Sequence, residues 1–177
     1  MKIANLLVAG SMLLGASVYA QEETAHHEAE APYYITVKGV YAFGEDYENE
    51  KGDAGYGIGI DLGYELGHGL AVELDGTYES ADVEILGVST GIDYYATSLD
   101  LVYVYEITEK FGLLAKVGAE YEYETAEGES SDDTGISYAV GMEYVLNKKY
   151  NGVIEYESSS IDGPKGDSVM AGVKFKF

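Results

Sequence analysis

Eight separate stretches of this chain alternate between apolar residues and polar or small ones, and that period of two constrains the fold more than any other feature. Successive side chains of a strand point to opposite faces, so each stretch makes one greasy face and one that is not. The first, about Tyr33–Phe43, sets Tyr33, Ile35, Val37, Tyr41 and Phe43 on one side. The second, about Gly55–Glu65, sets Tyr56, Ile58, Ile60, Leu62 and Tyr64 against glycines, Asp61 and Glu65. Comparable patterns run over about Gly69–Glu79, Asp93–Tyr105, Phe111–Tyr123, Gly135–Val145 and Tyr150–Glu157. The last sets Val169, Ala171, Val173, Phe175 and Phe177 against Ser168, Met170, Gly172, Lys174 and Lys176, and closes the chain on an aromatic ring. Period-two patterning sustained over so many segments predicts strands and argues against helices.

The connections alternate in length. Leu66–His68, Glu106–Lys110 and Leu146–Lys149 are short, whereas Gly44–Ala54, Ser80–Ile92, Glu124–Thr134 and Ser158–Asp167 are longer. Short turns at one end and long loops at the other describe a membrane barrel whose short side is periplasmic. An even strand number returns both ends of the barrel to that side.

The amino terminus supplies a route there. Met1-Lys2 is a short positive start, Leu6 to Val18 is mostly apolar or small, and Val18-Tyr19-Ala20 has small residues at the cleavage positions. This reads as a secretory signal peptide over residues 1–20, cut after Ala20. Residues 21–32 are polar, acidic and without period, and read as a mobile tail. Residues 33–177 then form one barrel domain. The chain has no cysteine, which excludes disulfides and thiolate metal sites. No apolar run after residue 20 is long enough for a membrane helix, so any crossing must be made by strands.

The net charge is −22, and every one of the ten basic residues is lysine. Nucleic-acid partners are therefore excluded, because their binding depends on lysine and arginine neutralising phosphates. The acidity otherwise reads as solvation, with attraction of cations at the cell surface as the sharper alternative.

Aromatic placement decides which way the greasy face points. Tyr33 and Tyr41 bracket Ile35 and Val37; Tyr56 and Tyr64 bracket Ile58, Ile60 and Leu62; Tyr95 with Tyr103, Tyr138 with Tyr144, and Tyr150 with Tyr156 repeat the arrangement. Eight residues span about 26 Å along a strand, or roughly 20 Å when tilted by about 40°, near the height of an outer-membrane apolar band. Tyrosine suits both boundaries, having an apolar ring and a hydroxyl that seeks water. The opposite face is crowded with Gly and Ala and interrupted by Lys38, Asp61, Glu73, Asp75, Asp100, Lys116, Glu143, Glu155 and Lys174. Eight strands leave an interior just wide enough for side chains. The expected fold is an all-β, eight-stranded, antiparallel up-and-down transmembrane β-barrel with a lumen charge network built from those nine residues.

Residues 33–177 resemble the small eight-stranded bacterial outer-membrane proteins, the class of the outer-membrane protein A transmembrane domain and its opacity-like relatives. The likeness lies in the strand pattern and in the terminal Val173, Phe175 and Phe177, which resemble the sorting signal read by the barrel assembly machinery. It implies residence in the bacterial outer membrane, with lipid and lipopolysaccharide around the barrel. The end at Phe177 leads us to expect no periplasmic peptidoglycan-binding domain, and hence no tethering to the cell wall.

The lumen charges read first as an ion-pair plug, since each buried charge needs a partner. The alternative is a narrow path for cations or small solutes. The long acidic loops are the other candidate, as possible sites for an external ligand. Asp46 to Asp53 faintly resembles a calcium loop, but its Gly is displaced and Gly57 stands where the closing Glu belongs. His26-His27 falls in the tail and His68 in a periplasmic turn. Some related barrels modify lipid A with a histidine near the outer leaflet, and no histidine is expected there. The reading is a non-enzymatic envelope or surface-interaction protein with no cofactor and no metal.

Overall fold

The computed structural model describes residues 32–47, 50–85, 87–126 and 128–177. The expected signal peptide, its expected cleavage after Ala20, and the histidine pair of the expected tail lie outside the described residues.

Ten strands follow one another: β1 (Tyr33–Ala42), β2 (Asp46–Tyr47), β3 (Glu50–Gly52), β4 (Gly55–Gly67), β5 (Leu70–Ile85), β6 (Val88–Thr108), β7 (Phe111–Ala126), β8 (Glu129–Val145), β9 (Tyr150–Ser159) and β10 (Ser168–Lys176). Every pairing is antiparallel, and β1 is hydrogen-bonded to both β4 and β10. With β5 paired to both β4 and β6, eight strands close on themselves and leave no unpaired wall edge in the apolar band. Closure is what a strand structure needs in hydrocarbon, where an unpaired backbone group has no water to bond. The two short strands β2 and β3 form a small hairpin outside this ring.

Burial is inverted relative to a water-soluble protein. Ile58 is 60% exposed while Asp61, three residues on, is fully buried. Val37, Leu62, Leu99, Leu101, Val117 and Val140 stand outward, and the nine charged residues named above stand inward. An apolar exterior of this extent around a charged interior is a surface made for lipid. Aromatic rings rim it at both ends. Tyr33 packs edge-on to Tyr64, and Tyr150 to Phe175, at the periplasmic end. At the outer end Tyr41 packs edge-on to Tyr56, and Tyr95 makes tilted contacts with Tyr78 and Tyr123.

Strand lengths depart from the sequence reading on the outer side. Strands β5 to β8 run well past the outer ring of tyrosines, to 21 residues in β6. The segments expected as long loops over Ser80–Ile92 and Glu124–Thr134 are thus largely strand. Ile85 pairs with Val88 and Ala126 with Glu129, which leaves two-residue turns. Each turn has a glycine in the left-handed region, Gly87 at φ 84° and Gly128 at φ 91°, the conformation such tight hairpins require. Over Glu129–Thr134 the alternation is absent because both faces of that hairpin meet water and polar residues serve on either side; in the β5–β6 extension it persists, with Ala81 and Val83 turned to the buried side. The other two outer connections remain loops. The first contains the β2–β3 hairpin, which docks through Glu50 and Gly52 against Ile85 and Val83 of β5.

The interior also differs in one respect from an expected filling of small and charged residues. Tyr34, Ala71, Val102 and Leu114 form an apolar cluster toward the periplasmic end. Ala81, Val83, Ile92 and Tyr94 form a second one inside the outer extension. The charges around Lys38 and Lys116 occupy the stretch between.

Candidate functional site: the charged lumen and its outer vestibule

Residues two apart on a strand share a face, so β1, β4, β5, β7 and β9 all aim charges at the same interior. Halfway along, Lys38 of β1 reaches Asp61 of β4 at 2.8 Å, Asp75 of β5 at 2.7 Å and Glu155 of β9 at 3.4 Å. Lys116 of β7 meets Glu73 of β5, Glu155 at 3.1 Å and Asp61 at 3.4 Å. Asp61 and Glu155 thus bridge both lysines, and one cluster ties five strands across the lumen. Glycine makes room for it: a Cβ at Gly59 would come within 3.2 Å of the Lys38 stem.

Toward the periplasm, Lys174 pairs with Glu143, which also accepts from Asn151 Nδ2. The Lys174 ammonium lies 4.4 Å from the centre of the Tyr34 ring, a cation–π contact. Tyr34 donates its hydroxyl to Glu73 at 2.6 Å, which links this group to the central one. Asp100 stands apart from the lysines. Its carboxylate accepts from Ser98 and, at 3.0 Å, from Ser137. Of the nine residues singled out from the sequence, eight therefore join ion pairs and Asp100 is satisfied by hydroxyls.

A third group lies at the outer mouth. Lys165, in the β9–β10 connection, pairs with Glu122 and stands 3.9 Å from both Glu79 and Glu120. Ser159 donates to Glu120, and Ser168 donates to Glu79 at 3.4 Å. The loop is held inward by backbone bonds to the first outer connection. Phe43 N–H donates to the Asp167 carbonyl at 2.9 Å, Gly44 N–H to that of Lys165 at 3.0 Å, and Glu45 N–H to that of Pro164 at 2.9 Å. Burial works to lower the Lys165 pKa, but the charges of Glu122, Glu79 and Glu120 outweigh it and raise it above the ordinary lysine value. Beside this group, Glu124 is pushed above the usual carboxylate range, first by burial and then by Glu122 and Glu50.

Sequence reasoning missed this outer group as a site. Glu79, Glu120 and Glu122 carried a usable signal, since they share the inward parity of Glu73 and Lys116. Lys165 carried none, because no periodicity says where a loop residue points. The terminal residues take the positions expected for the lipid face: Phe175 lies against Tyr150 at 5.1 Å, and Phe177 is exposed beside the start of β1. His68 sits in the left-handed region, φ 56°, between Gly67 and Gly69 in the β4–β5 turn. The segment with the faint calcium-loop pattern forms the β2–β3 hairpin instead.

A closed, eight-stranded antiparallel ring with a lipid-facing exterior and a charged interior defines a small transmembrane barrel. Residues 6–177 match the family model for the outer membrane protein beta-barrel domain, and the chain belongs to that family. It is accordingly a bacterial outer-membrane protein. The fold is similar to that of Neisserial surface protein A, with a TM-score of 0.66 and 16% identity over 85% of this chain and 100% of that one. It is also similar to OprG of Pseudomonas aeruginosa, with a TM-score of 0.59 and 16% identity over 84% of this chain and 97% of that one. Ail of Yersinia pestis, solved in complex with the heparin analogue sucrose octasulfate, gives a TM-score of 0.56 and 19% identity over 82% and 96%. No curated protein sequence matches this chain.

Proposed function

We propose that this chain is a non-enzymatic outer-membrane barrel that anchors an acidic platform outside the cell, for envelope integrity or for contact with an external partner. The observation that carries the reading is the interlocked lumen, where Lys38 and Lys116 share Asp61 of β4 and Glu155 of β9. A barrel cross-linked through its middle serves as a rigid post, and the outer hairpins become its working surface.

The chemistry of that surface narrows the partner. Lys51 and Lys165 are the only bases in the four outer connections, and Lys165 is already engaged by carboxylates. Ail was solved with a sulfated sugar; the outer surface of this chain, rich in carboxylates, repels such polyanions and favours cationic partners or the divalent cations that bridge lipopolysaccharide.

Planar-bilayer recording tests the post directly. The expected result is no stable conductance, together with loss of adhesion or of envelope resistance when the β7–β8 extension is trimmed. A second reading, a narrow path for cations, is favoured by the excess of buried carboxylates over lysines. Steady cation-selective conductance would establish it in place of the first. Unchanged surface phenotypes after trimming would remove the binding role.

A further inference from the structure

The outer vestibule contains a feature that its ion pairs do not account for. Tyr94 points inward from β6 and is only 2% exposed, yet among the described residues its hydroxyl has no hydrogen-bond partner. A buried hydroxyl left without a partner costs stability, so an unsatisfied one calls for an explanation. Its cross-strand neighbours are Glu79 on one side and Glu124 on the other. Glu122 shares that face of β7, and Glu122, Glu124, Glu79 and Glu50 all act electrostatically on the phenol. Among the described residues, neither Glu124 nor Glu50 belongs to an ion pair.

From these observations we infer that the vestibule is a receptor site for an organic ammonium cation presented from outside the cell. This deepens, and rests on, the reading of the outer surface as an interaction platform. The site already holds one such group: the Lys165 ammonium, on its alkyl stem, lies among Glu122, Glu79 and Glu120. It enters on a loop and leaves Glu124, Glu50 and the Tyr94 hydroxyl for a second cation. An ammonium has three donors and no acceptor, which suits two carboxylates and a phenol oxygen together.

Among the described residues, no three histidine or acidic side chains are arranged to hold a metal. A cavity of about 280 Å³ at the mouth is lined by Glu122 and Lys165 with Glu45, Tyr47, Ser159 and Asp162. The same ammonium chemistry belongs to free polyamines and to lysine side chains of a partner protein.

The test uses the full mature chain folded in phosphatidylcholine nanodiscs, titrated calorimetrically with spermine and separately with tetralysine. Saturable binding of at least one is expected: both identifies a general ammonium site, spermine alone a free polyamine, and tetralysine alone a protein segment. Glu124→Gln should weaken binding about tenfold, and Tyr94→Phe about two- to fivefold. Lys165→Ala, which removes the tethered competitor, should tighten it about tenfold, whereas Lys51→Ala, the same change of charge on another outer loop, should change it about twofold or less. Heat-modified gel migration verifies the fold of each variant, and Glu124→Gln remains decisive if Lys165→Ala does not refold. No saturable binding, indifference to Glu124→Gln, or equal effects of Lys165→Ala and Lys51→Ala would overturn the proposal. Those results would leave the anchored platform itself to be judged by conductance and hairpin trimming.

Discussion

The centre of the lumen and its outer mouth are built on the same inward faces of the same strands, yet they reach opposite electrostatic outcomes. At the centre, Lys38 and Lys116 each reach three carboxylates, and every one of those carboxylates arises from a strand of the ring. At the mouth, one lysine on a loop meets three glutamates, while Glu124 and the Tyr94 hydroxyl are left over. The difference teaches where this fold is closed to ligands and where it is open to them. A buried charge deep in the wall must be neutralised from within, because nothing else can reach it. A charge near the water can be left for a visitor.

The largest expected effect tests the centre. Lys116→Met leaves Glu73 without its cation and Asp61 and Glu155 with Lys38 alone, and breaking a buried network from one side costs about 3–5 kcal/mol. Urea unfolding in micelles should show that loss; a cost as small as that of Lys51→Ala would mean that water reaches the central charges and that the post is soft.

A smaller effect comes from the periplasmic side of the same network. The Tyr34 ring lies directly on Gly63, where any Cβ would overlap its carbon atoms. Gly63→Ala should displace the ring, weaken its bond to Glu73 and cost about 1–3 kcal/mol, as overpacked sites do. Full wild-type stability in the same unfolding assay would show that the ring and its contacts with Glu73 and Lys174 can be rearranged without cost.

The smallest effect sharpens the mouth. Because the Glu124 pKa is raised on folding, the folded state holds its proton more tightly than the unfolded chain does. Its charge therefore opposes folding increasingly as pH rises from the ordinary carboxylate range through the raised value. Glu124→Gln should raise thermal stability at neutral pH and do nothing at pH values where both states are protonated. Equal stabilisation at acid and neutral pH would assign the effect to something other than the burial of Glu124 and its crowding by Glu122 and Glu50.

Much of this was legible from residue order. The alternation in Tyr33–Ala42 or Phe111–Tyr123 places each side chain on its face, because a pleated strand has no other choice. Tyrosine spacing separated lipid from water, and parity alone turned Lys38, Asp61, Glu73, Lys116 and Glu155 inward. The projecting hairpins were not legible. Outside the membrane no apolar face is demanded, so Glu129–Thr134 lacks the rhythm that marks a strand while keeping the hydrogen bonds; the alternation of Ala81–Ile85 was there to be read.

By itself, then, the order of residues determined the period, the greasy exterior and the list of charges that must share a lumen. Only the closed structure decided who meets whom. Asp61 reaches both lysines while Asp100 reaches neither, because the register of each neighbouring pair sets heights that accumulate around the ring. Lys165 enters the mouth because its loop bonds to Phe43, Gly44 and Glu45 far away in sequence. Such contacts depend on long-range pairing and loop closure, which no local pattern of side chains encodes.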